Sequence, residues 1–284
     1  MHLSLSHPQL TLLSFMSNHS DLYRNQGIKP VPMDVLDSKL ALYDDLTQWE
    51  HAVQRLSRSI IHPHDHDKVR LMRIHSRTGL TLLESSLHNE ECLFDTYQWA
   101  FEDIINYTAE LQDGNYHHHS DAESSSESET STTPEPSRSS KTPNLTPSPA
   151  SKTGSAKRRS PRPFFILDNG VIFSLYWAAL KCRDGYLRRR AIALLERSTQ
   201  EGVWIGPIQA AIAKRVIEIE EGRPYEQDPP SERVVQAEDV PEHIRVHNVG
   251  SDLDKGLRRA RIVLLQKLDG PDGDWHESVE YVGW

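Results

Sequence analysis

Residues 62–68 read HPHDHDK and set two His–Asp doublets side by side, His64–Asp65 and His66–Asp67. Imidazole nitrogen with carboxylate oxygen suits divalent transition ions. Metal-assisted hydrolysis of a phosphoester is the chemistry such a doublet could run. It would need a packed helix to fix its geometry. Here Pro63 intervenes and a helical pattern begins just afterwards, so the segment reads as a polar loop with Asp65 or Asp67 as an N-cap. His117, His118 and His119 form a second tract able to chelate a metal. No carboxylate or cysteine at ordered spacing completes a site there, and the tract reads as a flexible loop. Cys92 and Cys182 are the only cysteines, and no CxxC pair exists for a cysteine zinc site. Cys182 follows Ala178, Ala179 and Leu180, the setting of a buried structural thiol. No glycine-rich phosphate loop, GxSxG elbow or HExxH occurs. No catalytic, cofactor-binding or metal-ligating residue is expected.

Two basic runs remain. Lys157, Arg158 and Arg159, followed by Ser160–Pro161, have the composition of a nuclear import signal. Arg188, Arg189 and Arg190 could contact phosphate or a partner's carboxylates. Three consecutive helical residues spread over about 200°, so they do not make one patch. They are expected on a solvated helix face that folding does not need, with an interaction surface as the functional reading. Leu187, Ala191, Leu194 and Leu195 mark the opposite, core-facing side. Trp204, between Gly202 and Gly206, is expected to anchor its loop on the core.

The chain has 284 residues and a formal net charge of -9, which argues against a surface built wholly for nucleic acid. No apolar run approaches the ~18 residues of a membrane span, and the N-terminus lacks a basic leader. A soluble, intracellular protein is expected.

The elements that would position these residues are mostly helical. Residues 1–38 are expected to be poorly structured, and 39–113 to be a helical part. Within it Leu42, Leu46, Trp49, Val53, Leu56 and Ile60 recur at steps of three and four. Further helices are expected over about 68–87 and 94–111. Residues 114–162 are almost free of large apolar side chains, acidic first and basic later, and read as a disordered linker. Residues 163–284 bring a second helical part. Its helices are capped by Asp168 or Asn169, by Asp184, and by Gly206–Pro207, and Gly222 ends the last. The stretches IRVHNV, RRARIVLLQKL and WHESVEYVGW then predict a small antiparallel sheet, with turns at GSDLDKG and DGPDGD. The fold class expected is mainly α: a helical bundle interrupted by an insertion, with a small C-terminal β element.

Residues 177–221 read WAALKCRDGYLRRRAIALLERSTQEGVWIGPIQAAIAKRVIEIEE. This stretch resembles the C-terminal part of the regulatory domains of fungal-specific transcription factors, the six-cysteine binuclear zinc-cluster regulators. The resemblance lies in the turn Lys181–Asp184, the basic helix with Arg188–Arg190, the pair Leu194–Leu195, the loop Gly202–Trp204 and the acidic Glu218–Glu221. It covers about residues 165–221 and extends loosely to the first helices and the last strands. It implies a helical, non-enzymatic regulatory domain in the nucleus, with Cys182, Leu194, Leu195 and Trp204 in its core. Its partners would be other proteins, transcriptional co-regulators among them. The family's DNA-binding module needs six cysteines. Zinc is therefore expected only with an upstream cluster, and this chain alone is not expected to bind DNA. The alternatives are a metal-dependent helical phosphohydrolase centred on the His–Asp doublets, and a stand-alone helical scaffold.

Overall fold

The computed structural model describes residues 6–27, 29–60, 62–124, 170–225, 235–254 and 256–284. The fold is mainly α. Seven helices occur among these residues: α1 (Ser6–Ser20), α2 (Met33–Ser59), α3 (Pro63–Ser85), α4 (Gln98–Ser124), α5 (Ile172–Lys181), α6 (Gly185–Arg197) and α7 (Gly206–Glu221). A two-residue hairpin joins α6 to α7 through β1 (Gln200–Glu201) and β2 (Trp204–Ile205). The C-terminal sheet has strands β3 (Val246–Asp254), β4 (Arg259–Gln266) and β5 (His276–Gly283), antiparallel in the order β3-β4-β5.

Apolar burial forms two clusters. The larger gathers Phe94, Phe101, Ile104 and Ile105 with Leu175, Ala179, Leu187, Ala191, Leu195, Ile212 and Val216. Ala260, Ile262, Leu264 and Val282 add the inner face of the sheet to it. These β4 residues alternate with outward ones, as the two-residue strand period requires. The smaller cluster joins α1, α2 and α3 through Leu12, Phe15, Val35, Leu42, Leu46 and Leu83. Helix α3 belongs to both, because Ile74 faces the larger and Leu83 the smaller.

The expected helix stripe on α2 forms in part: Leu42, Leu46 and Val53 are buried and Trp49 is half-buried, but Leu56 is exposed and Ile60 lies just past the helix end. Asp184 caps α6 by accepting from the Leu187 N–H at 2.8 Å. Pro207 lies in the first turn of α7, and Gly222 ends it in the left-handed region at φ 65°. At Gly206 the backbone itself needs the room. A Cβ there would sit 2.3 Å from the Leu195 carbonyl oxygen, so only glycine lets α7 start against the end of α6.

Four expectations about boundaries need correction. Residues 1–38 are not poorly structured throughout, since α1 and the π-helical turn Asp21–Asn25 bury Leu12, Phe15 and Tyr23. Pro8 lies in the first turn of α1, where a missing N–H costs nothing. Helix α4 runs on to Ser124, past the boundary set at 113. The rest of the linker, Lys157, Arg158 and Arg159 included, lies outside the described residues. Asp168 and Asn169 also lie outside them. The first turn of α5 is served instead by Glu201, whose Oε2 accepts from the Ile172 N–H at 2.8 Å. The GSDLD of the first expected turn is strand, paired with β4 through Asp254, and the chain reverses just after it.

Candidate functional site

The turn after α5 and the start of α6 hold the highest density of buried charge. Lys181 and Arg183 are the last residue of α5 and the second of the turn, and neither reaches solvent. The Lys181 ammonium donates to Glu91 Oε2 at 2.8 Å and to the His247 carbonyl at 2.7 Å. The Arg183 guanidinium donates to the same Glu91 oxygen at 2.9 Å and to Glu220 Oε1 at 2.9 Å. Arg24, from the N-terminal turn, takes the other Glu91 oxygen, and donates to the carbonyls of Ser85 and His88. One fully buried carboxylate thus receives three cations from two parts of the chain, the N-terminal turn and the end of α5.

The network extends in both directions. Arg188 lies 2.7 Å from Glu220 Oε2 and donates through Nε to the Ala179 carbonyl at 3.0 Å. Arg189 forks onto Glu221 with bonds of 3.0 and 2.9 Å. Arg245 forks onto Asp95 at 2.7 Å on each arm. Glu242 accepts from the backbone N–H groups of Glu91 and Cys92 at 2.8 and 2.7 Å. His247 stands 3.4 Å from Glu242, with its ring edge-on to Trp275. Planar bidentate pairs of this kind are the geometry guanidinium favours.

Electrostatics follow the geometry. Burial pushes the Glu91 carboxyl up, but Lys181, Arg24, Arg183 and His247 more than reverse it and hold it well below the carboxylate range. Glu220 behaves alike: burial is overcome by Arg183 and Arg188. Burial draws the Lys181 ammonium down to about 7, against the pull of Glu91. It pushes the Cys182 thiol up to about 12, so the thiol keeps its proton at neutral pH. The cluster's chemistry is that of a clamp: buried cations outnumber the buried carboxylates Glu91 and Glu220 that hold them.

The correction that matters most concerns the arginines. Arg188 and Arg189 do not lie on a solvated face; they are 0% and 7% exposed. Helix α6 packs against both α5 and α7, so it has interior on more than one side and a run of three arginines cannot avoid it. Arg190 alone keeps the expected character, half-buried with its guanidinium over the Tyr186 ring. Cys182, Leu194 and Leu195 are buried as expected. Trp204 is half-buried and packs against the rings of Phe173 and Tyr176.

The His–Asp segment is corrected as well. It is the first turn of α3 and not a loop, and His62 occupies the cap position without a side-chain bond. Asp65 pairs with Lys68 at 2.9 Å and Asp67 with Arg70 at 2.8 Å, each along the helix. The side chain of His64 lies outside the described residues, as do those of His117, His118 and His119. Among the described residues no group of three or more His, Cys, Asp or Glu is placed to hold a metal.

Glu91, Arg24, Arg245 and Glu242 escape a reading by periodicity. One signal was available: Glu220–Glu221 end a helix whose preceding turns are largely apolar, and acidic residues there call for buried cations.

The depressed Glu242 carboxyl gives a test. Burial raises it, but His247 and the N–H groups of Glu91 and Cys92 bring it down to about 2 from an ordinary 4.5. Between these values the unfolded chain binds the proton and the folded chain does not. This contribution is complete above about pH 4.5 and is lost as pH falls toward 2. Glu242→Gln should lower stability at pH 7 by on the order of 2 kcal/mol and flatten part of the acid decline in melting temperature. An unchanged acid slope would show that Glu242 is not held this way.

Comparison with family models, with curated proteins and with solved structures returned no match.

Proposed function

We propose that this chain is the regulatory part of a fungal transcription regulator of the binuclear zinc-cluster type. It works in the nucleus through contacts with other proteins and does not itself touch DNA. One observation supports the reading. The residues that carry the resemblance make the interior: Arg183 and Arg188 close on Glu220, Arg189 closes on Glu221, Lys181 and Arg183 close on Glu91, and Leu194 and Leu195 are buried. A motif spent on its own interior specifies a shape and leaves contact with other molecules to the outer surface. Lys157, Arg158 and Arg159 are the import signal this reading expects.

The test is to fuse the full chain to an unrelated DNA-binding domain whose site lies upstream of a reporter gene. Reporter output should rise or fall several-fold relative to the DNA-binding domain alone. Leu195→Ala, which opens the core, should abolish the effect. A nuclear, folded fusion that leaves the reporter unchanged would overturn the proposal.

A further inference from the structure

Helix α2 carries a second apolar stripe, which the described residues leave exposed. Met33, Leu36, Leu40 and Tyr43 are 70%, 40%, 60% and 39% exposed. Their spacing of three, four and three residues places them within an arc of about 80°, centred about 120° from the stripe of Val35, Leu42, Leu46 and Val53 that faces the core. Four large apolar side chains aligned over three turns form a continuous ridge, unlike the scattered exposed leucines of any surface.

The two edges of this ridge differ in charge. On one edge Lys39 is neutralised by Glu84 at 3.1 Å, and Glu50 by Arg77 at 3.4 Å. On the other edge stand Asp37 and Asp44, with Asp34 and Asp45 further round, all exposed. None of these four side chains has a hydrogen-bond or ion-pair partner among the described residues. The ridge is therefore bordered by uncompensated negative charge on one side and by closed pairs on the other.

We infer that this face of α2 docks an amphipathic helix from another protein, whose apolar face lies along Met33, Leu36, Leu40 and Tyr43 and whose lysines or arginines meet Asp37 and Asp44. Helix-on-helix recognition uses apolar anchors at this spacing. Complementary charge at the rim sets partner, orientation and rate of encounter. An antiparallel second copy fits less well, because it would set the unpaired aspartates of the two copies against each other, and a parallel one would set them against the already neutralised Lys39 and Glu50 edge. An anionic membrane surface would be repelled by them. This assigns a partner class within the protein-binding reading above, on which it rests. The assay below uses purified protein and no reporter, so the two can fail separately.

The probe is a set of stapled helical peptides that share one leucine face and differ only at the flanks, which carry lysine, glutamine or glutamate. Binding to the full chain is followed by fluorescence anisotropy. The lysine peptide should bind tightest and the glutamate peptide weakest, and added salt should narrow the gap. Leu36→Ser with Leu40→Ser should weaken the lysine peptide by about tenfold or more. Asp37→Lys with Asp44→Lys should reverse the order of the lysine and glutamate peptides. All four positions are exposed, so thermal melts of both variants should match the parent. Equal binding of the three peptides, or of parent and leucine variant, would overturn the inference. So would a dimer in sedimentation that Leu40→Ser dissolves, since the ridge would then be occupied by a second copy.

Discussion

Glu91→Gln should destabilise the protein by about 3–5 kcal/mol in denaturant titration at pH 7. The substitution keeps the side chain's shape and removes only its charge. Arg24 and Lys181 then lose their one carboxylate, and Arg183 keeps only Glu220. None of the three can regain water without opening the contact of the N-terminal turn, α5 and β3. Breaking a buried pair is far costlier than its net worth when intact, because the surviving charge stays desolvated. The expected loss is a large share of an ordinary domain stability of about 5–15 kcal/mol. The pH dependence should change with it. The Lys181 ammonium lies near 7, below its ordinary 10.5. In that interval the unfolded chain holds the proton and the folded chain has shed it, so stability rises with pH across it. Without Glu91 the folded-state value should drop further, and the rise should begin at lower pH. A Glu91→Gln protein within about 0.5 kcal/mol of the parent would mean that water reaches the cluster.

The second large effect separates three adjacent arginines. Arg188→Ala should cost about 3–5 kcal/mol, since Glu220 would face Arg183 alone and a cavity would open against Ala179. Arg190→Ala, whose guanidinium lies over the exposed Tyr186 ring and has no carboxylate partner among the described residues, should stay within about 0.5 kcal/mol. Melting curves of the two single variants are the measurement. Equal and small losses would return the whole run to the surface.

That contrast also shows what was legible in the sequence. Apolar periodicity located α2, α3, α4, α6 and α7, because a stripe of leucines at steps of three and four has few other ways to bury itself. Turn chemistry located Asp184, Pro207 and Gly222, where one backbone geometry selects one residue type. Charge was misread because it has no period. A guanidinium is excluded from an interior only while it lacks a carboxylate, and Glu91 and Glu220 are 92 and 37 residues from Arg183. Only the tertiary fold brings them within reach. Helix α1 was missed for a related reason: its apolar residues, Leu12 and Phe15 among them, become a stripe only once α2 and α3 offer a wall.

The reach of the Glu91 clamp bears on the order in which the chain can fold. Arg24 lies 67 residues before it, Lys181 90 residues after it, and Glu242, which accepts from its N–H, 151 residues after it. Long-range pairings carry loop-closure entropy that slows folding. On the ribosome, α1 to α4 emerge with Glu91 and Arg24 in hand, but Lys181, Arg183 and Glu242 come much later. The first half must therefore wait, exposing Phe94 and Phe101, until the strand at Val246 has cleared the exit tunnel. The finished domain closes only once these later segments have emerged, and until then the nascent chain shows apolar surface of the kind chaperones bind.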